Sequence, residues 1–184
     1  MDNELIKRSK KTGQVQLSTG EKFGHYGIVI YILIIPVTMI LFTIKDLFTK
    51  GSANFRTEFI WVLLIAGGVS YLFYRLQKTR LKLTKVETNL TRQEIEKLVE
   101  DTAEELKWYP HLIEDEIIIA KTHPGFWSGS WGEQITIIFD SGRIWINSIC
   151  DPGSMSSVTS NGRNDKNINT LKERVYAASY QHKL

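Results

Sequence analysis

Apolar and polar positions alternate with different periods in different parts of the chain. Residues 23–44 contain no Asp, Glu, Lys or Arg, and their densest part, 27–44, reads GIVIYILIIPVTMILFTI. At a rise of about 1.5 Å per residue this part extends about 27 Å, close to the thickness of a hydrocarbon core, so a membrane-spanning helix is predicted over 23–44. Pro36 falls in its middle, where it removes one backbone hydrogen bond and kinks the helix, a defect that membrane helices tolerate. No ionisable residue lies near it, so the kink reads as structural rather than as part of a polar pathway. A second uncharged run begins at Phe59 with FIWVLLIAGGVSYLFY. Its 16 residues reach only about 24 Å, but Arg56 and Arg75 can snorkel from its ends, and Trp61, Tyr71 and Tyr74 lie where interfacial aromatics gather. A second spanning helix is therefore predicted over 59–76, with a buried helix of a soluble domain as the alternative. Ala66, Gly67, Gly68 and Ser70 form a small-residue patch in it, suited to close approach by the first helix, another copy or another membrane protein.

Beyond Arg80 the period changes. Leu81, Leu83 and Val86 with interleaved Lys82, Thr84 and Lys85 read as a strand, with a continued helix as the alternative. Thr91-Arg92-Gln93-Glu94 is a capping-box sequence, and Ile95, Leu98, Val99, Thr102 and Leu106 then recur at helical spacing until Tyr109-Pro110. The opposite face of that helix carries Glu96, Glu100, Asp101, Glu104 and Glu105, which reads as a solvated face or as a surface for a basic partner. Three strands are predicted from Glu116 to Thr122, Gln134 to Phe139 and Arg143 to Cys150, the last two joined by the turn Asp140-Ser141-Gly142. A closing helix over 164–180 places Ile168, Leu171, Val175 and Ala178 on one face. The expected fold is a membrane hairpin of two transmembrane helices followed by an α+β domain of order β-α-β-β-β-α, with helices covering one face of an antiparallel sheet. The expected divisions are a basic segment over 1–22, the hairpin over 23–76 and the α+β domain over 77–184.

Charge fixes an expected orientation. Residues 1–90 hold 13 Lys and Arg against 6 Asp and Glu, whereas residues 91–184 hold 10 against 14. The cations flank the apolar runs: Lys7, Arg8, Lys10, Lys11 and Lys22 precede the first, and Arg75, Lys78, Arg80, Lys82 and Lys85 follow the second. The positive-inside bias then puts both termini in the cytoplasm of a multi-pass protein of the inner membrane, with the lipid bilayer as its first partner. The same cations serve as an orientation signal and as an attraction for anionic headgroups. A net acidic soluble part argues against nucleic-acid binding. The single Cys150 excludes a disulfide framework and CxxC zinc sites, and His25, His111, His123 and His182 show no metal-ligand spacing.

Two loops carry the candidate chemistry. In His123-Pro124-Gly125-Phe126-Trp127-Ser128-Gly129-Ser130-Trp131-Gly132, the rings of Phe126, Trp127 and Trp131 could serve an interface with a ligand, a membrane or a protein, or simply pack over the end of the sheet. In residues 151–164, Ser157, Ser160, Gly162, Arg163 and Asn164 lie just before a helix N-terminus, where hydroxyls, free N–H groups and an arginine could cradle an anion, or where the same residues could cap and turn. No GxSxG elbow, phosphate-loop spacing or metal motif is present, so no catalytic residue, metal or cofactor is expected.

The run from Ile119 to Leu171, with its Gly/aromatic loop, two adjoining strands and the stretch SSVTSNGRNDKNINTL, resembles an uncharacterised bacterial domain family that has a Ser-rich, Gly- and Asn-containing motif before its last helix. The resemblance would place that motif on Ser157, Ser160, Gly162, Arg163, Asn164 and Asn167, although the Ser-Arg spacing departs from the family's. It implies an α+β fold and carries no activity. The function expected from the sequence is that of a noncatalytic binding or interaction module held at the membrane, with small-anion or ligand binding, or catalysis, by the loop 151–164 as the alternative.

Overall fold

The computed structural model describes residues 2–51, 58–123, 130–154, 156–157 and 159–182. Ten elements follow one another: α1 (Asn3–Thr12), α2 (Thr19–Lys50), α3 (Glu58–Arg80), β1 (Thr84–Glu87), α4 (Arg92–Leu106), β2 (Tyr109–Glu114), β3 (Ile117–Lys121), β4 (Glu133–Asp140), β5 (Arg143–Cys150) and α5 (Arg163–Gln181). Residues 1–25 and 80–184 form one compact unit, and residues 26–79 form a second.

The first unit is built on an antiparallel sheet in the order β1-β5-β4-β3-β2. Strand residues alternate between its two faces, and the register assigns each side chain. Val86, Ile118, Ala120, Ile135, Ile137, Ile144 and Ile146 point to one face, where Ile95 and Val99 of α4 and Leu171 and Val175 of α5 pack on them. Arg92 fixes α4 at its start. Its guanidinium lies 3.3 Å from the centroid of the Phe139 ring and donates to the carbonyls of Asp115 (2.7 Å) and Glu114 (3.1 Å) in the β2–β3 turn. The capping box of α4 forms as predicted: the Thr91 hydroxyl accepts from the Glu94 N–H, and the Glu94 carboxylate accepts from the Thr91 N–H at 2.7 Å.

The opposite face of the sheet is buried as well. Ile117, Ile119, Ile138 and Ile149 alternate onto it and are all buried. Asn147, on the same side, donates to the carbonyls of Arg80 (2.8 Å) and Lys82 (2.9 Å), so the chain entering β1 crosses this face. Residues 13–15 pair with that crossing strand: the Val15 N–H donates to the Leu81 carbonyl, the Leu83 N–H to the Gly13 carbonyl, and Gln14 bridges Lys82. Buried Ile6, Val15 and Leu17 bring the N-terminal segment into the domain, and Lys10 of α1 reaches Glu116 at 3.1 Å. The basic segment over 1–22 is thus folded into the domain.

Two further differences have physical reasons. The soluble order is β-α-β-β-β-β-α, because Tyr109–Glu114 forms a strand where the expected order had three strands after the helix. Helix α4 ends earlier than Tyr109-Pro110, at Leu106 with Lys107 in the left-handed region, and the proline is accommodated on an edge strand with a register shift beside it. In α5 the buried positions are Asn167, Leu171, Val175 and Ser179 rather than the fully apolar stripe, since Asn167 and Ser179 have hydrogen-bond partners that allow their burial.

In the second unit, α2 runs unbroken through Pro36 for 32 residues, about 48 Å, and α3 for 23 residues, about 35 Å. Both are long and apolar enough to cross a membrane, and only 11% and 6% of their most apolar windows are buried. Tyr26 and Tyr74 pack with ring centroids 5.4 Å apart. The small-residue patch is divided: Ser70 is buried, whereas a Cβ at Gly67 or Gly68 would meet open space. The N-terminus of α2 lies eight residues before the run 27–44 because Ser18-Thr19-Gly20-Glu21 makes its own capping box. The Ser18 N–H donates to Glu21 Oε2 at 2.8 Å, and the Glu21 N–H donates to Ser18 Oγ at 3.3 Å.

The hydrogen bonds from Thr91, backbone first and hydroxyl second, hold the Glu94 carboxyl below its usual range, with His182 adding to the effect. A depressed carboxylate stabilises the fold above its unfolded pKa, and that contribution disappears as pH falls through the folded value. Glu94→Gln should therefore melt below the wild type at neutral pH, and the gap should close on acidification below about pH 4, the ordinary glutamate range. Thermal melts of both proteins in detergent across that range check it.

Candidate functional site

The helix-covered face of the sheet turns polar at one end. Glu133 opens β4 with the same parity as Ile135 and Ile137, so its side chain points under α5 rather than to solvent. It is fully buried. Around it the chain supplies donors from three places: Thr122 just after β3, Ser130 before β4, and Arg163 at the start of α5. Arg163 Nε donates to Glu133 Oε1 at 2.8 Å, Ser130 Oγ to the same oxygen at 2.5 Å, and the Thr122 hydroxyl to Oε2. Arg163 Nη2 also donates to Ser130 Oγ at 2.7 Å. A buried carboxylate is tolerable only when charge and lone pairs are matched, and here both are.

A neutral chain of hydrogen bonds continues beneath it. The indole N–H of Trp108 donates to Asn167 Oδ1 (3.1 Å), Asn167 Nδ2 donates to Ser148 Oγ (3.0 Å), and Ser148 Oγ donates to Asn164 Oδ1 (3.0 Å). This chain locks the first turn of α5 to β5 and to the end of α4. Beside it, burial pushes the Cys150 thiol up, which makes it a poor nucleophile. Asp151 closes the corner: Lys121 lies 3.0 Å from its Oδ1, and the Gly153 N–H donates to that oxygen at 2.9 Å. Gly132 sets the approach to β4 at φ +132°, and a Cβ there would meet the Thr122 carbonyl at 2.6 Å.

Above these groups opens a cleft of about 280 Å³, lined by Lys107, Tyr109, His123, Glu133, Arg163 and Lys166 among others. The rings of Tyr109 and His123 are tilted against each other at 5.4 Å. Lys107 and Lys166 are exposed and make no ion pair among the described residues. Glu105 on the same rim is taken up by Arg174.

Of the five loop residues named from the sequence, only Arg163 lines the cleft, and its guanidinium is engaged by Glu133. Gly162 is the N-cap of α5 at φ +79°, Ser160 is buried with its Oγ 3.4 Å from the Asn164 N–H, and Ser157 is half-buried outside the cleft lining. Phe126 and Trp127 lie outside the described residues, while Trp131 is half-exposed. Sequence reasoning passed over Glu133, although the alternation in EQITIIF already placed it on the core face.

Arg163→Ala would leave the Glu133 carboxylate buried without its cation, and a loss of about 3 kcal/mol in stability is expected from unpairing such a group. Arg163→Met combined with Glu133→Gln should restore most of it, as denaturant titration would show. No protein family model, curated protein or solved structure matches this chain.

Proposed function

We propose that this chain is a two-pass integral membrane protein whose α+β domain acts on the cytoplasmic side as a noncatalytic binding module. One observation carries the reading: the chain leaves the domain through one exposed apolar helix and re-enters it through another, with residues 13–15 paired to 81–83 at the junction. An even number of crossings is the membrane arrangement that returns both ends of such a hairpin to one side. The cations before α2 and after α3 favour the cytoplasm for that side. Exposed Phe42, Leu41, Trp61, Leu64 and Leu72 suit contact with acyl chains.

The polar cluster supports a structural rather than catalytic use of its groups. Both oxygens of Glu133 already accept hydrogen bonds, and the buried Cys150 thiol is disfavoured as a thiolate. The exposed Trp131 and the acidic face of α4 are the surfaces left for a protein partner. A second reading, binding of a small anion in the cleft, is favoured by Lys107 and Lys166 on its rim. Inorganic phosphate should then raise the melting temperature of the wild type and not that of a Lys107→Gln, Lys166→Gln variant, whereas equal responses would discard the anion site.

Topology is tested with Gly51→Cys and His182→Cys variants in intact cells. A membrane-impermeant maleimide should label position 51 at once and position 182 only after lysis. Labelling of position 182 in intact cells would overturn the orientation, and release of the protein from membranes by alkaline carbonate would overturn the membrane reading itself.

A further inference from the structure

We infer that the outer face of α1 is a docking surface for the anionic headgroups of the bilayer, so that lipid charge sets how the domain rests on the membrane. The inference depends on the membrane reading above. Its basis is that the two faces of this ten-residue helix are committed differently. Ile6 and Ser9 are buried; Ser9 Oγ accepts from the Gln16 N–H at 2.9 Å, and Lys10 is tied to Glu116. At 100° per residue Lys7, Arg8 and Lys11 project from the other side, and all three are exposed without an ion pair among the described residues. Glu4 is the acid that shares this face.

Position in the chain makes headgroups the fitting partner. Only residues 13–18 separate α1 from α2, and Val15 and Leu17 are buried within them, so α1 is not a free tail. Eight residues of helix, about 12 Å, separate Thr19 from Gly27, where the dense apolar run begins. That distance is comparable to the headgroup layer plus one Debye length. Because the pairing of 13–15 with 81–83 joins α1 to the strand crossing the back of the sheet, a headgroup that holds α1 also holds the sheet. Each cation near an anionic surface favours the docked state about fivefold, so three of them together favour it roughly a hundredfold.

The experiment uses the full chain with Asn3→Cys carrying a spin label; buried Cys150 stays unlabelled. The protein is reconstituted into nanodiscs of neutral phosphatidylcholine or of phosphatidylcholine mixed with phosphatidylglycerol, and accessibility of the label to an aqueous relaxation agent is measured. The expected result is shielding in the anionic discs that high salt reverses and that the triple variant Lys7→Gln, Arg8→Gln, Lys11→Gln lacks while entering discs as well as the wild type. Equal accessibility in both lipids, or shielding that salt does not reverse, overturns the inference while leaving the membrane reading intact. Failure of the wild type to enter either disc overturns the membrane reading instead. The salt titration on the wild-type sequence keeps the test valid if the triple variant misfolds.

Discussion

Backbone pairing between residues 13–15 and 81–83 is the constraint on which the rest of the structure depends. It joins the segment before the first apolar helix to the segment after the second, and so closes a loop of nearly seventy residues at its base. Closing a loop of that length costs conformational entropy that a few hydrogen bonds do not offset. Burial of Ile6, Val15, Leu17, Leu81 and Leu83 around the junction supplies the missing stabilisation, because each buried aliphatic side chain contributes roughly 1.5–3 kcal/mol. An apolar back face on the sheet is therefore required by the topology. Without it, the strand entering β1 would have no surface to lie on.

This arrangement also explains why the back face of the sheet buries isoleucines beside its polar Gln134, Thr136 and Asn147. Half-exposed antiparallel strands alternate apolar with polar residues, whereas the run Ile117-Ile118-Ile119 is continuous. Helices α4 and α5 account for one set of those isoleucines, and the chain from Arg80 to Lys82 crosses the face that carries the other. At the polar end Glu133 meets Arg163 beneath the start of α5. A matched charge pair there fixes the start of α5 in one position, which an apolar contact of the same size would not specify as sharply.

Much of this was legible in the chain. Capping-box chemistry placed the start of α4, and alternation together with the Asp140-Ser141-Gly142 turn placed β5 from Arg143 to Cys150. Strand β2 was not legible, because Tyr-Pro is at once a helix terminator and an acceptable edge-strand start, and only pairing with β3 decides between them. Helix α1 was missed because a ten-residue segment with Ile6 as its buried apolar anchor has too little periodicity to register. Its long-range ties, Lys10 to Glu116 and the pairing of residues 13–15 with 81–83, reach more than sixty residues along the chain. The cleft divides in the same manner. Arg163 could be named from the loop before α5, but its meaning changed once Glu133 proved to be its partner. A sequence lists an arginine and a glutamate thirty positions apart as two surface charges, and burial makes them one interaction.

The charge asymmetry of the chain takes on a physical sense in that light. Cations that would be excess in an isolated soluble domain sit on α1 and at the ends of the apolar helices, while the acids collect on α4, on the helix-covered side of the sheet. Unlike charges on opposite layers of one domain give it a dipole, and a dipole near a charged bilayer has a preferred attitude. The layer that carries the cations is also the one joined to both apolar helices. Helix α4 and the cleft lie on the other, helix-covered side of the sheet.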